Sequence, residues 1–406
     1  MKSIINIISL FLTIVFLTSC ENKELTIVKS EIPTMKINTE NKAPIDSKDN
    51  YVNGNMEVFE YNGDNDELVS SGKLQIKGRG NTTWTMPKKP YRVKLDEKLG
   101  LFDLPKSKHW TLLANYTDKS MLRNEIAFEM GRMSVLEWTP RTHFLNLILN
   151  GKLQGVYQLT EQIRIDKDRV NVTDDGYIIE VDSEDKVSRD DITFKTERLL
   201  FTIKDPDVET NDNRYNWIKN HVNMIENILY SDNFNDSETG YKTYIDIESF
   251  VDWYLINEIA KNPDACFYSS CYMNITPGGK LKMGPLWDFD IAFGSDYFLY
   301  YDVSPNDFWV KPSAWINRMF LDPEFVDLVK TRFQYFKSKK SDIIHSLNQN
   351  AKYLKYAAVN NEVIWHTLLA GENVDAIISR YEDEVRFVEN WIIERFDWLD
   401  KAFGEL

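Results

Sequence analysis

The sequence predicts a mixed α+β protein in two unequal lobes, and three observations carry that expectation. Strand patterns crowd the first half of the chain and helical patterns the second, with the break near residues 183–207. At 406 residues the chain exceeds one ordinary compact domain. Hydrophobic residues make up 43% and aromatic residues 13%, enough to build a substantial core and unlike a disordered chain. A β-rich lobe is expected over residues 32–204 and a mainly helical lobe over 205–406, with a ligand cleft between them.

Residues 1–19 carry one lysine, an apolar run and then small residues, which reads as an export signal too short and wrongly flanked for a permanent span. Its ending, LTSC, resembles the bacterial lipoprotein signal, which implies a lipid on Cys20 and a tether over residues 20–31. No later stretch offers about 18 uncharged apolar residues, so the N-terminal lipid is the only membrane attachment expected. Cys266 and Cys271 then remain. On one extended strand they would stand about 16 Å apart and face opposite ways, so a disulfide needs a turn between them. Two buried free thiols are the alternative.

After the tether, TMKINTE, GNMEVFEYNG, GKLQIKG and KPYRVKL place β-branched and aromatic residues between Asn, Asp and Gly turns, the pattern of strands. Residues 119–133 carry apolar positions 122, 126, 130 and 133, a helical stripe. HFLNLILNGKLQGVYQLTE reads as a hairpin around Asn150-Gly151, and GYIIEVD at 176–182 as a further strand. Beyond DPD at 205–207 helices are expected near 213–230, 246–261, 323–337, 341–357 and 374–402. One short hairpin, CYMNIT and KLKMGPL around PGG, interrupts them.

A net charge of −15 argues against nonspecific binding of nucleic acid or anionic lipid headgroups, while leaving room for a local basic pocket. KGRGNTTW at 77–84 could be such a pocket: glycines bring backbone N–H groups close to a ligand, and Arg79, Lys88 and Lys89 supply charge. A ligand-free hairpin turn would look the same. In KKPYRVKL, Arg92 and Lys94 share one side of a strand and Tyr91, Val93 and Leu95 the other, so a cationic face or an ordinary solvated one is expected.

GPLWDFDIAFG sets Asp288 and Asp290 among apolar residues, where an unpartnered carboxylate is costly and a cation, a metal or backbone donors are expected. Asp264 lies in a loop after Pro263, and the short hairpin returns the chain to Asp288 within 24 residues. Convergent acids beside a cationic strand suit a magnesium phosphate site. The five histidines are scattered and no HExxH, paired CxxC or GxSxG occurs, so neither a zinc site nor an α/β-hydrolase is supported.

Taken together, KGRGNTTW with KKPYRVKL, HWTLLANYTDKSMLRNEIA, LNGKLQGVYQLTEQI, GYIIEVD and GPLWDFDIAFG resemble the CotH-type spore-coat protein kinases, over about residues 77–294. The resemblance implies a divergent protein-kinase-like fold that holds ATP and magnesium between two lobes and transfers phosphate to a serine or threonine of a protein acceptor. By motif, Asp264 resembles the catalytic aspartate that orients or deprotonates the acceptor hydroxyl. Asp288 resembles the metal-holding aspartate of a kinase DFG, with Asp290 at the glycine position. Arg79, Lys89, Arg92 and Lys94 become nucleotide-binding candidates, Arg123 and Glu161 an expected ion pair, and Glu180 a residue near a hinge. Which lysine meets phosphate stays open. Ser269 occupies the position of the asparagine that holds a second metal in ordinary kinases, which puts that metal in doubt. With the export signal, the resemblance implies a lipoprotein of the bacterial cell envelope, at the outer membrane or cell surface, with no nucleic-acid partner. A noncatalytic envelope or adhesion protein on the same scaffold is the alternative, hinted at by Phe308, Trp309 and Trp315 if exposed. A phosphoesterase or a nucleotidyl transferase using the same acids is a third.

Overall fold

The computed structural model describes residues 27–63, 65–298, 301–371 and 373–406. The expected export signal and Cys20 lie outside the described residues. Mixed α and β structure is present as expected, but its first part is a closed barrel, which the sequence did not suggest. Seven strands build it: β1 (Thr34–Thr39), β2 (Val52–Tyr61), β3 (Asp66–Gly78), β4 (Tyr91–Leu99), β5 (Ser107–Leu113), β6 (Thr142–Leu149) and β7 (Lys152–Glu161). They run in the order β1-β2-β3-β4-β5-β7-β6, and parallel pairing of β1 with β6, Thr34 opposite Asn146, closes the ring. Alternation does the rest: Met35 and Ile37, Met56 and Val58, Leu74 and Ile76, and Tyr91, Val93 and Leu95 all point inward and are buried. Closure leaves neither β1 nor β6 as an unpaired edge.

The β6–β7 hairpin turns where expected, with Asn150 at φ 51° and Gly151 at φ 81°, the left-handed pair a two-residue turn requires. Strand β5 is among the elements that periodicity did not reveal. Trp110, Thr111, Leu112 and Leu113 are buried in succession, so the segment lacks the alternation of a half-exposed strand.

A second, antiparallel sheet has the order β12-β11-β8-β10-β9. Its strands are β8 (Tyr177–Asp182), β9 (Thr193–Lys195), β10 (Leu200–Asp205), β11 (Cys271–Ile275) and β12 (Lys282–Met283). Strand β8 pairs with β11, Glu180 opposite Tyr272. Strands from both sides of the break near residues 183–207 therefore meet in one sheet. Strands β9 and β10 occupy the break itself.

The helices of the second half are α3 (Asn213–Leu229), α4 (Ile247–Ala260), α5 (Ala314–Met319), α6 (Pro323–Ser338), α7 (Lys340–Trp365) and α8 (Val374–Gly404); α4 packs on β12 of the second sheet and α7 on β7 of the barrel. Helix α4 is apolar on nearly all sides and is buried from Ser249 to Ala260. Two ion pairs lock it: Glu258 to Arg395 at 2.7 Å, with neither side chain exposed, and Asp252 to Arg332 at 2.6 Å. Glu258 also accepts N–H bonds from Trp309, Val310 and Lys311. Helix α7 runs past its expected end because its polar residues there have partners. Asn360 is bonded both ways to Val28, and Glu362 accepts from the N–H groups of Leu368 and Ala370.

Between barrel and helices lies α2 (Arg123–Arg132), packed against α4 and α7. It begins four residues after the start of the segment 119–133 read as helical, because Asp118 accepts from the Arg123 N–H at 2.8 Å and turns the chain into the helix there. A four-residue helix, α1 (Thr82–Thr85), closes the Gly-rich turn.

Candidate active site

A cleft of about 470 Å³ opens where the barrel meets the second sheet. Its lining includes seven carboxylates and six basic side chains, nearly balanced in a protein of net charge −15. The two signs come from different elements.

The basic wall is built by the barrel. Lys77 and Arg92 lie directly opposite each other on β3 and β4, a like-charge pair that a sheet does not favour by itself. Burial pulls the Lys77 amine below its ordinary range, and Arg92 pulls it further. Arg79 follows in the turn, its guanidinium 5.3 Å from the centre of the Trp287 ring. Burial lowers the Arg79 pKa, while Asp288 acts in the opposite direction. The turn requires its glycines: a Cβ on Gly78 would stand 2.4 Å from the Trp84 ring, and Gly80 has φ +82°.

The acidic wall comes from loops around α4 and β11. Past α4, Lys261 at φ 45° ends the helix and the turn Pro263–Ala265 presents Asp264 to the cleft. The Asp264 carbonyl accepts from the N–H groups of Tyr268 and Ser269, each at 3.2 Å, which folds the loop back toward β11. Burial, then the neighbouring Asp288, pushes the Asp264 carboxyl up to about 6.

Asp288 and Asp290 enter from the other end of the hairpin, held by contacts far apart in sequence. Asn124 accepts from the Phe289 N–H at 2.8 Å, Arg123 donates to the Ala292 carbonyl at 2.9 Å, and the Phe293 N–H reaches Ala260 at 2.8 Å. Ser270 donates to Asp288 at 3.3 Å and Thr117 to Asp290. Asp290 is buried, and burial followed by the Asp288 charge pushes it up to about 8. The loop aspartate and both aspartates of the DFD segment therefore share one cleft, as the short hairpin suggested.

Crowded carboxylates of this kind suit a cation. Among the described residues no group of three or more His, Cys, Asp or Glu side chains stands ready to hold a metal. Magnesium asks for less, because it keeps waters and takes one or two carboxylates together with phosphate oxygens. The donor set of Asp288 and Asp290 fits it.

Glu180 and Asp182 extend the acidic wall along β8. Lys204 pairs with Glu180 at 2.9 Å and the Ser270 N–H donates to it at 3.1 Å. Asp182 accepts from Thr202 at 2.7 Å and from Ser269 at 3.2 Å. Ser269, the residue standing where a second metal ligand was in doubt, is thus turned to Asp182. The parity of GYIIEVD already placed Glu180 and Asp182 on one face, although only Glu180 was expected at the site, as a residue near a hinge.

Several expectations need correction. Arg123 and Glu161 do not pair. Buried Arg123 binds Asp118 at 2.6 Å and Glu384 at 3.2 Å, whereas Glu161 is held by Arg141 at 2.9 Å, and neither residue lines the cleft. Each is buried beside a closer opposite charge, which satisfies it locally. Lys89 donates to the Trp84 carbonyl at 2.7 Å and Lys94 lies on an exposed stretch of β4, so neither lines the cleft. Lys88 turns away altogether. It is buried against the Val156 carbonyl and Asn361, the latter at 2.8 Å, and burial holds its amine well below the ordinary lysine range. Of the two readings left open for the cysteines, the free thiols hold: Cys266 and Cys271 donate to the Pro263 and Ser269 carbonyls. Trp315 is fully buried, and Phe308 and Trp309 pack against the core, so the aromatic residues offered for adhesion do not form an exposed loop.

A protein-family model described as CotH kinase protein matches residues 76–399, most of the chain. No curated protein matches it.

Proposed function

The chain belongs to the CotH kinase protein family, and from that premise we propose that it transfers phosphate from ATP to serine or threonine of a protein acceptor with magnesium. In this reading the fold is a divergent protein-kinase-like one, with nucleotide between a β-rich N-terminal lobe and a helical C-terminal lobe. A lipid on Cys20 tethers the enzyme to the bacterial cell envelope, at the outer membrane or cell surface, and its partner is a protein rather than a nucleic acid.

One arrangement supports the reading above all: Asp264 and Asp288, 24 residues apart, line the same cleft as Lys77, Arg79 and Arg92. Lys77, Arg79 and Arg92 are the side chains to receive the nucleotide phosphates, relieving the like-charge contact across β3 and β4. Asp288 and Asp290 would hold magnesium, which when bound neutralises charge on the phosphates. Asp264 is the base for the acceptor hydroxyl. It is half-buried, and its raised pKa makes it a better proton acceptor than an exposed aspartate. Thr117 and Ser270 keep Asp290 and Asp288 oriented.

Transfer of labelled phosphate from ATP to casein tests the proposal, comparing the intact chain with Asp264→Ala and Asp288→Ala. Signal from the intact chain and loss in both variants is expected. Equal signal from all three, or none from any with magnesium or manganese, would refute it. Mass spectrometry of the acceptor separates an added phosphate from an added nucleotide or a removed phosphate, the outcomes of the other chemistries these acids permit.

A further inference from the structure

The loop joining β8 to β9 lines the cleft through Lys186, Ser188 and Asp191 and is fastened on both sides. On the Gly-rich turn, the Asn81 side chain donates to the Lys186 carbonyl at 3.0 Å. On the Asp264 segment, the Tyr268 hydroxyl donates to Asp185 at 2.7 Å. Within the loop, Ser183 accepts from the Lys186 N–H at 3.0 Å and Asp191 from the Ser188 N–H at 2.8 Å.

Lys186 is the residue this clasp positions. Its side chain lines the cleft, half-buried, with the amine 5.5 Å from the centre of the Tyr268 ring. Among the described residues no carboxylate stands within 4.0 Å of that amine as an ion-pair partner. Asp185, the nearest acid in sequence, is turned to Tyr268 instead. The charge of Lys186 reaches Asp264 and opposes the effect of Asp288 there. The segment 264–270 contains no basic residue of its own, and Lys204 is engaged by Glu180. An anion passing from the barrel cations toward Asp264 therefore meets Lys186, which among the described residues has no carboxylate partner.

We propose that Lys186 is a catalytic residue that contacts the terminal phosphoryl group of the nucleotide as it passes to the acceptor hydroxyl. The proposal rests on the kinase reading of the cleft. In the step, the bond between the terminal phosphorus and its bridging oxygen breaks, and the nucleoside diphosphate leaves with the electron pair. The acceptor oxygen forms the new bond to phosphorus and its proton passes to Asp264. Lys186 takes no part in the proton transfer and offsets the charge that a loose transition state spreads over the nonbridging oxygens.

The full chain and its Lys186→Met and Lys186→Arg variants are titrated with magnesium-ADP and with an imido-bridged ATP analogue, and assayed for transfer from ATP to casein. Lys186→Met should lower kcat by about 10- to 100-fold, the scale of losing one donor to a developing anion. It should weaken the triphosphate analogue while leaving ADP affinity within about twofold, and Lys186→Arg should restore most of kcat. A wild type that transfers, beside a Lys186→Met variant with unchanged kcat, overturns this assignment and leaves the kinase reading intact. So does an equal loss of ADP binding and thermal stability, which marks a merely structural clasp. A wild type that neither binds nucleotide nor transfers phosphate overturns both readings.

Discussion

The two walls of the cleft are made differently. On the barrel side, charge is a by-product of pleating: Lys77 and Arg92 face out because Ile76, Tyr91 and Val93 face in, and hydrogen-bonded strands on either side hold the backbone. On the opposite side Asp264 sits in a single 3-10 turn, Pro263–Ala265, and no helix or strand carries Asp288 or Asp290. Loops carry them, held by single side chains such as Asn124, Thr117 and Ser270 and by the buried pair Glu258–Arg395 behind α4. Each wall repels itself, Lys77 against Arg92 and Asp288 against Asp290. A ligand carrying both a cation and phosphates relieves both walls at once, whereas a ligand of one sign relieves only one.

That contrast is tested most severely on the acidic wall. Asp288→Ala removes a proposed metal ligand and should cut phosphate transfer by about a thousandfold or more, read from labelled-phosphate kinetics. A loss below about tenfold would mean that charge is held elsewhere in the cleft. Behind the wall, Glu258→Ala leaves Arg395 buried without its partner and strips an acceptor from three N–H groups. It should cost about 3–5 kcal/mol in urea unfolding.

The barrel wall should respond with opposite signs in two measurements. Arg92→Gln removes the repulsion on Lys77 and should stabilise the ligand-free chain by about 0.2–1 kcal/mol. In calorimetry it should weaken magnesium-ATP binding by about tenfold. Losing stability and affinity together would show that Arg92 is structural.

A pH profile distinguishes the walls more gently. Unfolded aspartates titrate near 4, while the folded chain holds Asp264 up to about 6 and Asp290 up to about 8. Between these values the folded state binds more protons than the unfolded one. The contribution of these groups is therefore fully present at low pH and is lost as pH rises through 6 and 8. Metal-free melting temperatures should fall along that slope, and magnesium or Asp290→Asn should flatten it. A slope that survives Asp290→Asn unchanged would assign it to other groups. Smallest of all, Lys94→Ala should leave nucleotide affinity within about twofold and stability within about 0.5 kcal/mol, because Lys94 stands outside the cleft.

Much of the chain was legible because its signals are local. The helix starts at Asn213, Ile247, Pro323 and Val374 fall within a residue or so of where periodicity put them, each behind an Asp or Asn cap. The Asn150-Gly151 turn is fixed by its own two residues. Asp264 and Asp288 could be brought together from sequence because one short hairpin joins them. Lys186 gave no such signal, lying in a polar loop whose position depends on Asn81 and Tyr268.

What the sequence determined alone was the character of each segment: which faces are apolar, where turns fall, and that two acids sit in surroundings that demand a partner. Only tertiary structure decided that β1 closes on β6, that strands from both halves share a sheet, and that Arg123 binds Asp118 rather than Glu161. The reason is range. Side-chain periodicity is written within a few residues, but a charge buried at low dielectric takes whichever opposite charge or donor the packed chain leaves nearest, and that distance exists only once the chain has folded.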